Sequence, residues 1–391
     1  MRILLLSWNF PPTIGGIEYV VGHLYEGLLR RKHAVEVITS HAPEAEANPS
    51  EVQRASRPGL AAYLLFALRR GITACRRARP DVIVCGSVVP APVAWLLSRF
   101  FRAPFVVLLH GSDLLQPGRL YQRTIRFLLA RASRLTANSA QTRDLLETHG
   151  FRTGPVDVVH PGVDVQAFAR RPEHGATEIL NDIGDRPVLL TVGRLVQRKG
   201  HLPFIEEAMP RLVEHFPDLL FLIVGDDATR SLVHAERMRD RIAAAIERLG
   251  LREHVRLLGT LPNEEDVVAL FFRADLFILP CLDTPGDMEG FGIVFLEAAL
   301  GQTPTVATRV GGIPEAVVDG ETGLLTAPGD TDALVEAITR LLRDRDLREK
   351  MGAAGERRAR TEFSWDNICA LYEESFRRCL PPTALRPEDT T

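Results

Sequence analysis

Cysteine is scarce in this 391-residue chain, and the few cysteines present form no recognisable pattern. There are five: Cys75, Cys85, Cys281, Cys369 and Cys379. No two of them have the close spacing of a metal-binding pair, and an odd number argues against a disulfide framework. We therefore expect a protein of a reducing compartment.

Long apolar runs are also missing, because no run approaches the roughly 18–20 residues of a membrane-spanning helix. The first residues, MRILLLSWNFPP, lack the charged segment, longer apolar core and cleavage site of a signal peptide. We predict a first β-strand there and a cytoplasmic protein. No predicted strand is followed by the fingerprint G-x-G-x-x-G, which argues against a dehydrogenase.

The composition is that of a globular protein, but charge is divided unevenly along it. Charged residues make up 25% and hydrophobic residues 46%, and the length favours two domains. Residues 1–170 hold 21 Lys and Arg against 12 Asp and Glu, whereas residues 171–391 hold 26 against 38. Within 51–134 there are fourteen arginines and three acidic residues. This excess predicts that the N-terminal half meets an anionic partner, either a membrane surface or nucleic acid.

Short apolar strands alternate with helical stretches almost throughout the chain. Examples are RILLLSW, DVIVCGS and PFVVLLH in the first half and PVLLTVG, DLFILP and PTVAT in the second. This alternation predicts an α/β protein whose parallel sheets are covered by helices on both faces, with ligands at the carboxyl ends of the strands.

We predict two Rossmann-like doubly wound domains with a cleft between them, residues 1–165 and 166–363. Residues 160–178, rich in proline, glycine and charge, are the predicted linker. The last helix, 364–380, is expected to pack back on the first domain, and the tail 381–391 to be disordered.

The stretch EGFGIVFLE places two glutamates eight positions apart, Glu289 and Glu297. The preceding residues 274–280 are predicted to be a strand and the following ones a helix, so Glu289 lies in the connecting loop and Glu297 in the helix. A glycine-bearing loop before a helix N-terminus is suited to an anion. The carboxylates are acceptors for hydroxyl groups. The combination favours a nucleotide-sugar, with one glutamate for the sugar and one for the ribose.

The segment GRLVQRKG (193–200) places Arg194 and Lys199 just after another predicted strand. A guanidinium fork and an ammonium group together suit a diphosphate. Two solvated surface charges are the alternative for such a pair in isolation.

Together, GRLVQRKG and, about ninety residues later, EGFGIVFLEA resemble family 4 of the retaining glycosyltransferases (glycosyl transferases group 1), which have the two-domain GT-B fold. Four further segments extend the resemblance to residues 1 to about 375. They are FPPTIGGIE (10–18), HGSD (110–113), HPGVD (160–164) and GGIPEAVVDGETGLL (311–325). Pro161 stands where the family usually has asparagine.

The resemblance implies a role for each residue of the second domain's motifs. Arg194 and Lys199 would neutralise the donor diphosphate. Glu289 would hold hydroxyl groups of the transferred sugar, with the backbone N–H groups of Phe291 and Gly292 nearby.

It also implies that Glu297 accepts from the ribose hydroxyls, although a solvent-facing helix residue is the alternative. Gly15 and Gly16 would let the backbone approach the donor phosphate, where a Cβ would collide; a plain loop-to-helix turn would also explain them. His110 would touch the sugar near its 6-hydroxyl, close to the anomeric carbon, or be a satisfied core histidine.

The implied reaction needs no metal, since Arg194, Lys199 and a helix N-terminus would stabilise the leaving diphosphate. The sequence has no DxD motif, and DTPGD (283–287) is spaced wrongly for a metal pair and is predicted to be a turn. Retention of configuration implies attack from the leaving-group face, with a donor phosphate oxygen taking the acceptor's proton.

For the donor and the acceptor, the sequence predicts a class of molecule rather than one compound. The motifs are most similar to those of GDP-mannose-dependent α-mannosyltransferases, including those acting on phosphatidylinositol mannosides; UDP-glucose and UDP-N-acetylglucosamine stay open. Residues 224–230 and 257–266 are expected to bind the base. The acceptor is a glycan or lipid-linked hydroxyl.

Two arginine-rich segments, 59–81 and 119–135, suggest peripheral docking on an anionic inner membrane face. In the second segment Arg119, Arg123 and Arg126 are predicted near one face. An ordinary arginine-rich surface is the alternative, and no nucleic-acid partner is expected. For the whole chain, a nucleotide-sugar epimerase of similar fold and a non-enzymatic binder of anionic membranes or nucleic acid are the competing functions.

Overall fold

The structure is a computed structural model that describes residues 1–41, 49–172, 177–227 and 237–380. Three predicted features fall partly or wholly outside the described residues. They are the tail 381–391, residues 173–176 of the linker and residues 228–230 of one base-binding segment.

Contacts along the chain divide it into two compact units. Unit 1 comprises residues 1–162 together with the C-terminal segment from Trp365, and unit 2 comprises Val163–Ser364. The sequence-based boundaries lie after residues 165 and 363.

Over the described residues, unit 1 contains a seven-stranded sheet in the order β3-β2-β1-β4-β5-β6-β7, and each pairing in it is parallel. Its strands are β1 (Arg2–Ser7), β2 (Ala34–Thr39), β3 (Val52–Arg54), β4 (Val82–Cys85), β5 (Phe105–Leu109), β6 (Arg134–Ala137) and β7 (Val156–Val158). Its helices are α1 (Gly16–Arg30), α2 (Leu60–Ala78), α3 (Ala91–Phe101), α4 (Ser112–Leu115), α5 (Arg119–Leu129), α6 (Ala140–Thr148) and, from the C-terminal segment, α16 (Trp365–Arg377).

Unit 2 contains a six-stranded sheet in the order β10-β9-β8-β11-β12-β13, again parallel at each pairing described. Its strands are β8 (Val188–Val192), β9 (Leu220–Val224), β10 (Val255–Gly259), β11 (Leu276–Leu279), β12 (Thr305–Thr308) and β13 (Gly323–Thr326). Its helices are α7 (Thr177–Ile183), α8 (His201–Pro203), α9 (Met209–His215), α10 (Met238–Arg248), α11 (Glu264–Arg273), α12 (Ile293–Leu300), α13 (Ile313–Ala316), α14 (Thr331–Arg343) and α15 (Arg345–Glu362). A 3₁₀ turn covers Gln197–Lys199 and a π turn covers Phe204–Ala208.

The central strands are buried along their whole length, which explains their uninterrupted apolar sequences. All residues of β4, β5, β9 and β11 are buried. A parallel strand covered by helices on both sides has no solvent-facing position, so it shows no polar alternation. The strand β3, which the sequence analysis did not predict, is a three-residue edge strand of mixed polarity.

Each sheet has one point at which the strand order reverses. In unit 1 the chain builds outward from β1 to β3 and then continues from β4 on the other side of β1. In unit 2 it builds from β8 to β10 and then continues from β11 on the other side of β8. The loops after the two strands at such a point diverge to opposite faces and leave a crevice for a ligand. Ligand-binding residues are therefore expected in the loops after β1, β4, β8 and β11.

The C-terminal helix α16 packs on α1 within unit 1. A Cβ atom on Gly27 would lie 2.1 Å from Sγ of Cys369, so the glycine permits close approach of the two helices. At the other end of the contact, the rings of His23 and Trp365 are stacked, 5.2 Å apart at 13°. In the part of the chain that the structure describes, no helix combines the length and apolarity needed to cross a bilayer.

Candidate active site

The loop after β8 places two basic side chains of GRLVQRKG, those of Arg198 and Lys199, in a largely buried position. Its path is fixed by the bond from Leu195 N–H to the Asp226 carbonyl at 2.9 Å and by the 3₁₀ turn that contains Arg198 and Lys199. Gly200 then adopts φ 73°, and a Cβ there would lie 1.9 Å from the carbonyl oxygen of Pro280, at the end of β11. Only glycine tolerates both conditions, so this residue brings the loops after β8 and β11 together.

The loop after β11 carries Glu289 and packs against the backbone of the two glycines of GGIPE, Gly311 and Gly312. The N–H of Gly312 donates to the Glu289 carbonyl at 3.0 Å. A Cβ on Gly311 would lie 2.1 Å from that carbonyl oxygen, and one on Gly312 would lie 2.2 Å from the carbonyl oxygen of Gly290. The segment 311–325 therefore contributes to the site by allowing the Glu289 loop to rest directly on its backbone.

The two loops meet in a buried cluster of two cations and two carboxylates. Nζ of Lys199 is 2.8 Å from Oε2 of Glu289, and Arg198 also contacts Oε2. Nε of Arg198 is 3.2 Å from Oδ2 of Asp287. The side chains of Lys199, Arg198 and Glu289 are only 8%, 11% and 11% exposed. Both cations contact Oε2, and Oε1 has no partner among the described residues, so it is available to accept from a ligand hydroxyl.

The cluster keeps Glu289 ionised. Burial by itself would raise the pKa of Glu289, but the charges of Lys199 and Arg198 outweigh it and lower that pKa to about 2. His201, buried beneath the same cations, has its pKa lowered to about 3 by burial and by the charges of Lys199 and Arg198. A neutral His201 adds no further positive charge, so the charge of the cluster is set by the four other groups.

Arg194 does not join this cluster. It is exposed, and within the described residues no hydrogen bond or ion pair involves its guanidinium. The predicted pair of Arg194 and Lys199 is thus divided, with one cation in the buried cluster and the other in solvent. Their shared role toward a diphosphate stays a prediction.

The N-cap of helix α12 is Gly292, which has φ 86° and follows the buried Phe291. No described residue accepts a hydrogen bond from the Gly292 N–H. Glu297, in the second turn, is half-buried rather than solvent-facing, and no described group bonds its carboxylate. Burial, with a smaller contribution from the charge of Glu264, raises the pKa of Glu297 to about 7. The helix therefore offers a backbone donor at its start and an unpaired carboxyl group one turn on.

In unit 1, Gly15 is the N-cap of α1 and has extended backbone. A Cβ on it would lie 2.3 Å from Oε2 of Glu18, whose carboxylate is held by Nδ2 of Asn9 at 2.7 Å. A Cβ on Gly16 would meet nothing within 4 Å. The described residues therefore give a reason for glycine at position 15 but none at position 16, where the space lies open.

His110 follows β5, and its ring is bound on one side only. Nε2 is 2.8 Å from the carbonyl oxygen of Gly86, after β4, so Nε2 carries the proton in the neutral ring. Nδ1 has no partner among the described residues, which leaves it able to accept from a hydroxyl group. The backbone N–H of His110 donates to Oδ1 of Asp113 at 3.2 Å. Burial raises the pKa of Asp113, against the opposing influence of His110. As a fully satisfied core residue, His110 would have both nitrogens bonded.

Sequence reasoning missed Arg198 and Asp287. Each lies within two positions of a residue that was named, Lys199 and Glu289. Asp287 closes the predicted turn of DTPGD, with its N–H donating to the Thr284 carbonyl at 3.1 Å, and the turn is confirmed. Sequence signals were present, since Arg198 is a charged residue within GRLVQRKG and Asp287 is a charged residue two positions before EGFGIVFLE. Across the described ranges, no three or more His, Cys, Asp or Glu side chains are grouped to hold a metal ion.

Comparison with known proteins identifies the family. Residues 14–167 match the family model described as Glycosyltransferase Family 4, and residues 177–358 match the model Glycosyl transferases group 1. A GDP-mannose-dependent alpha-(1-6)-phosphatidylinositol monomannoside mannosyltransferase of Mycolicibacterium smegmatis is 31% identical over 377 residues, which cover 93% of this chain and 95% of the relative. The chain belongs to the family 4 glycosyltransferases.

Other relatives of this glycosyltransferase have different activities. Glycogen synthase of Mycobacterium tuberculosis is 28% identical over 96% of this chain and 94% of its own. Among solved structures, sucrose-phosphate synthase of Thermosynechococcus elongatus has a TM-score of 0.81 at 23% identity, with 97% and 99% of the two chains covered. HepE of Anabaena, in complex with UDP and glucose, has a TM-score of 0.78 at 23% identity, with 97% and 100% covered. These structures share the fold, and the predicted GT-B class with two Rossmann-like domains is confirmed.

Proposed function

We propose that this glycosyltransferase moves a hexose, with mannose favoured, from a nucleoside-diphosphate sugar to a hydroxyl acceptor, with retention of anomeric configuration. The observation that carries the proposal is the state of Glu289. One carboxylate oxygen is held by Lys199 and Arg198, and the other has no partner among the described residues, next to the start of α12. An ionised, oriented acceptor beside backbone N–H donors fits a sugar attached to a phosphate.

In this proposal the leaving diphosphate is stabilised by the protein itself. Arg194, exposed and without a partner among the described residues, supplies a bidentate fork, and Lys199 supplies a second charge. The start of α12 adds backbone donors. These groups act where negative charge develops as the bond to the sugar breaks, so no metal ion is required. Activity that survives chelation with EDTA is the expected result.

The sugar and ribose are assigned to different carboxylates. Glu289 accepts from the hydroxyls of the transferred sugar, and Glu297 accepts from the ribose, where its ionised form offers both oxygens to the two ribose hydroxyls. Nδ1 of His110 accepts from the sugar's 6-hydroxyl. The acceptor oxygen attacks the anomeric carbon on the face from which the diphosphate departs, and a donor phosphate oxygen takes the acceptor's proton. No carboxylate nucleophile is needed in this scheme.

GDP-mannose is the favoured donor, and a lipid-linked or glycan hydroxyl is the favoured acceptor. The support is the extent of the similarity to a mannosyltransferase whose name specifies GDP-mannose and phosphatidylinositol monomannoside. UDP-glucose and UDP-N-acetylglucosamine, the donors that the motifs leave open, are the comparison donors, and the solved HepE structure contains UDP and glucose.

The test is a thermal-shift screen of GDP-mannose, UDP-glucose and UDP-N-acetylglucosamine, followed by assay of released nucleotide with the donor that stabilises most. The proposal predicts stabilisation by a nucleoside-diphosphate sugar and release of its nucleotide only when a hydroxyl acceptor is present. Glu289→Gln should fold and bind the free nucleotide but lose turnover, with a lower Tm because Lys199 and Arg198 lose a counter-charge. Unchanged turnover in Glu289→Gln would refute its assigned role.

We further propose that unit 1 docks on an anionic membrane surface to reach a lipid-linked acceptor. Apolar Leu60 and Leu65 of α2 are each 52% exposed, and Leu120 of α5 is 80% exposed. Exposed arginines lie on the same two helices: Arg69, Arg70, Arg76 and Arg77 on α2, and Arg119 and Arg123 on α5. Arginines with exposed leucines suit the boundary between lipid headgroups and acyl chains.

Two arginines of these helices are engaged within unit 1. Nη2 of Arg77 donates to Oε2 of Glu36 at 2.7 Å. Nη1 of Arg126 donates to the Gly150 carbonyl at 2.9 Å, and its guanidinium lies 4.4 Å from the centre of the Phe151 ring. The placement of Arg126 near one face with Arg119 and Arg123 stays a prediction, but its guanidinium is bonded just after the C-terminal end of α6 rather than left for a headgroup.

Sedimentation with liposomes tests the docking proposal. Wild type should pellet with anionic vesicles at low salt and less with neutral vesicles or at high salt. Arg69→Glu should weaken that binding, whereas Arg357→Glu, a matched change at an exposed arginine of unit 2, should not. Equal, salt-independent pelleting with both vesicle types would contradict the proposal.

A further inference from the structure

Arg198 is the buried cation of the cluster that the family resemblance assigns no role. Its guanidinium lies between two carboxylates of the loop after β11, contacting Glu289 and standing 3.2 Å from Asp287 through Nε. Its own backbone carbonyl accepts from the N–H of Leu282 at 2.7 Å, so the main chain is fixed to the same loop. Arg198 therefore connects the loops after β8 and β11 through both backbone and side chain.

The contacts of Glu289 show how the connection between these two loops positions its carboxylate. Lys199 and Arg198 both contact Oε2, and the geometry leaves Oε1 without a partner among the described residues. Were Lys199 the sole cation, one ammonium group would have to serve both this buried carboxylate and a ligand phosphate. A buried carboxylate that loses its counter-charge is strongly destabilised. With Arg198 in place, Lys199 is able to turn toward a phosphate while Glu289 stays paired.

We infer that Arg198 is a positioning residue for Glu289: it fixes Oε2 so that Oε1 meets the transferred sugar, and it releases Lys199 to bind the donor diphosphate. The inference rests on the proposed function. Arg198 itself is not assigned to the donor, because its guanidinium already contacts two carboxylates of the protein, those of Asp287 and Glu289. Asp287 contributes a second carboxylate to the same guanidinium, with Oδ2 3.2 Å from Nε.

The experiment compares Arg198→Met and Arg198→Lys with wild type in three measurements: kcat and KM for the nucleotide-sugar, Kd for the free nucleoside diphosphate, and Tm. Arg198→Met should lower kcat/KM roughly 100-fold, the scale expected when a contacting group is misplaced. Affinity for the free nucleoside diphosphate should fall much less, because that ligand has no sugar for Glu289 to hold and is affected only through the sharing of Lys199 with Glu289. Arg198→Lys should recover part of the turnover.

The pH dependence of kcat/KM is a measurement that a purely structural role of Arg198 would leave unchanged. The charged and titratable groups facing Glu289 are Lys199 and Arg198 from the loop after β8, and Cys281 and Asp287 from the loop after β11. Without Arg198 the ionised form of Glu289 is less favoured. Glu297, with its pKa of about 7, sets the first acid limb of kcat/KM in every variant, so the shift belongs to the second loss at lower pH. That second loss should begin at higher pH in Arg198→Met and stay in place in the control.

The control is Arg348→Met. Arg348 forms a partly buried ion pair with Asp275, 3.3 Å apart, in the same unit but outside the cluster. It should lower Tm while leaving kcat/KM and the pH profile unchanged. If Arg348→Met reproduces the losses of Arg198→Met, the effect is general destabilisation and the inference fails.

Two further outcomes would overturn the inference. Wild-type turnover in Arg198→Met would show that Glu289 needs no second cation, and an equal loss of free-nucleotide affinity would make Arg198 a diphosphate ligand. If Arg198→Met does not fold, Asp287→Asn replaces it: reduced turnover with unchanged nucleotide affinity supports the inference, and wild-type turnover contradicts it. A wild-type chain that turns over no nucleotide-sugar overturns the proposed function as well.

Discussion

Ionisation of Glu297 is predicted to lower the free energy of unfolding while providing an acceptor for the ligand. In the folded chain, burial and the charge of Glu264 raise its pKa to about 7, against 4.5 for an ordinary glutamate. The folded protein therefore binds a proton that the unfolded chain releases as pH rises. The stabilising contribution of the neutral carboxyl is fully present below pH 4.5 and is lost as pH rises through 7. At 1.36 kcal/mol per pH unit, the loss above pH 7 is about 3 kcal/mol.

Glu297→Gln removes that loss, because an amide resembles the neutral carboxyl in shape and does not ionise. The free energy of unfolding should rise by up to about 3 kcal/mol at pH 8 and by less than about 1 kcal/mol at pH 5. For a unit of about 200 residues, the gain at pH 8 corresponds to an increase in Tm of roughly 6–12 °C. The amide also removes the ionised acceptor for the ribose hydroxyls. Nucleotide affinity should then fall roughly 10- to 150-fold, the equivalent of about 1.5–3 kcal/mol.

The assay is a set of paired thermal melts at pH 5 and pH 8 with calorimetric titration of the free nucleotide at pH 8. Comparing wild type and variant at the same pH removes the titration of all other groups from the difference in Tm. Glu264→Gln is the control for the thermal melts, since removing this neighbouring charge should stabilise the protein at pH 8 by less than Glu297→Gln. It is not a control for nucleotide affinity, because Glu264 lies in the predicted base-binding segment 257–266. A Tm difference that is the same at both pH values, or a destabilised variant at pH 8 with wild-type nucleotide affinity, would refute the reasoning.

Three other substitutions test separate parts of the site. Arg194→Met, at an exposed residue, should leave Tm unchanged but weaken binding of nucleoside diphosphate more than of nucleoside monophosphate; equal weakening would remove Arg194 from the diphosphate. His110→Ala should lower kcat roughly 100-fold through lost positioning without changing free-nucleotide Kd, and unchanged kcat would exclude contact with the sugar. Gly311→Ala, whose Cβ would lie 2.1 Å from the Glu289 carbonyl oxygen, should cost more Tm and activity than Gly320→Ala, which also has positive φ but nothing within 4 Å. Equal effects would mean that backbone strain alone matters at Gly311.

The architecture was predictable from the sequence because buried parallel strands have a strong local signature. Runs such as PFVVLLH and DLFILP match β5 and β11, and the helix after Gly292 begins where the glycine predicts it. The edge strand β3 was not predictable, since three residues of mixed polarity depend on pairing with β2 rather than on their own composition.

The site was predictable only in part, because burial and pairing depend on residues far apart in the chain. Nothing in GRLVQRKG distinguishes the exposed Arg194 from the buried Arg198, whose partners are some ninety positions away. The state of Glu297 likewise depends on burial and on Glu264, which belongs to another helix. A motif therefore identified which loops carry the chemistry, and the structure was needed to assign partners within them.

The most direct measurement of the central claim is time-resolved proton NMR of the reaction between GDP-mannose and a lipid-linked mannoside acceptor. The account predicts an α-linked product from the α-linked donor, released GDP in equal amount, no requirement for metal, and no product with Glu289→Gln. A β-linked product would contradict retention. Consumption of the donor at the same rate by wild type and Glu289→Gln, or no consumption of any nucleotide-sugar by wild type, would contradict the account itself.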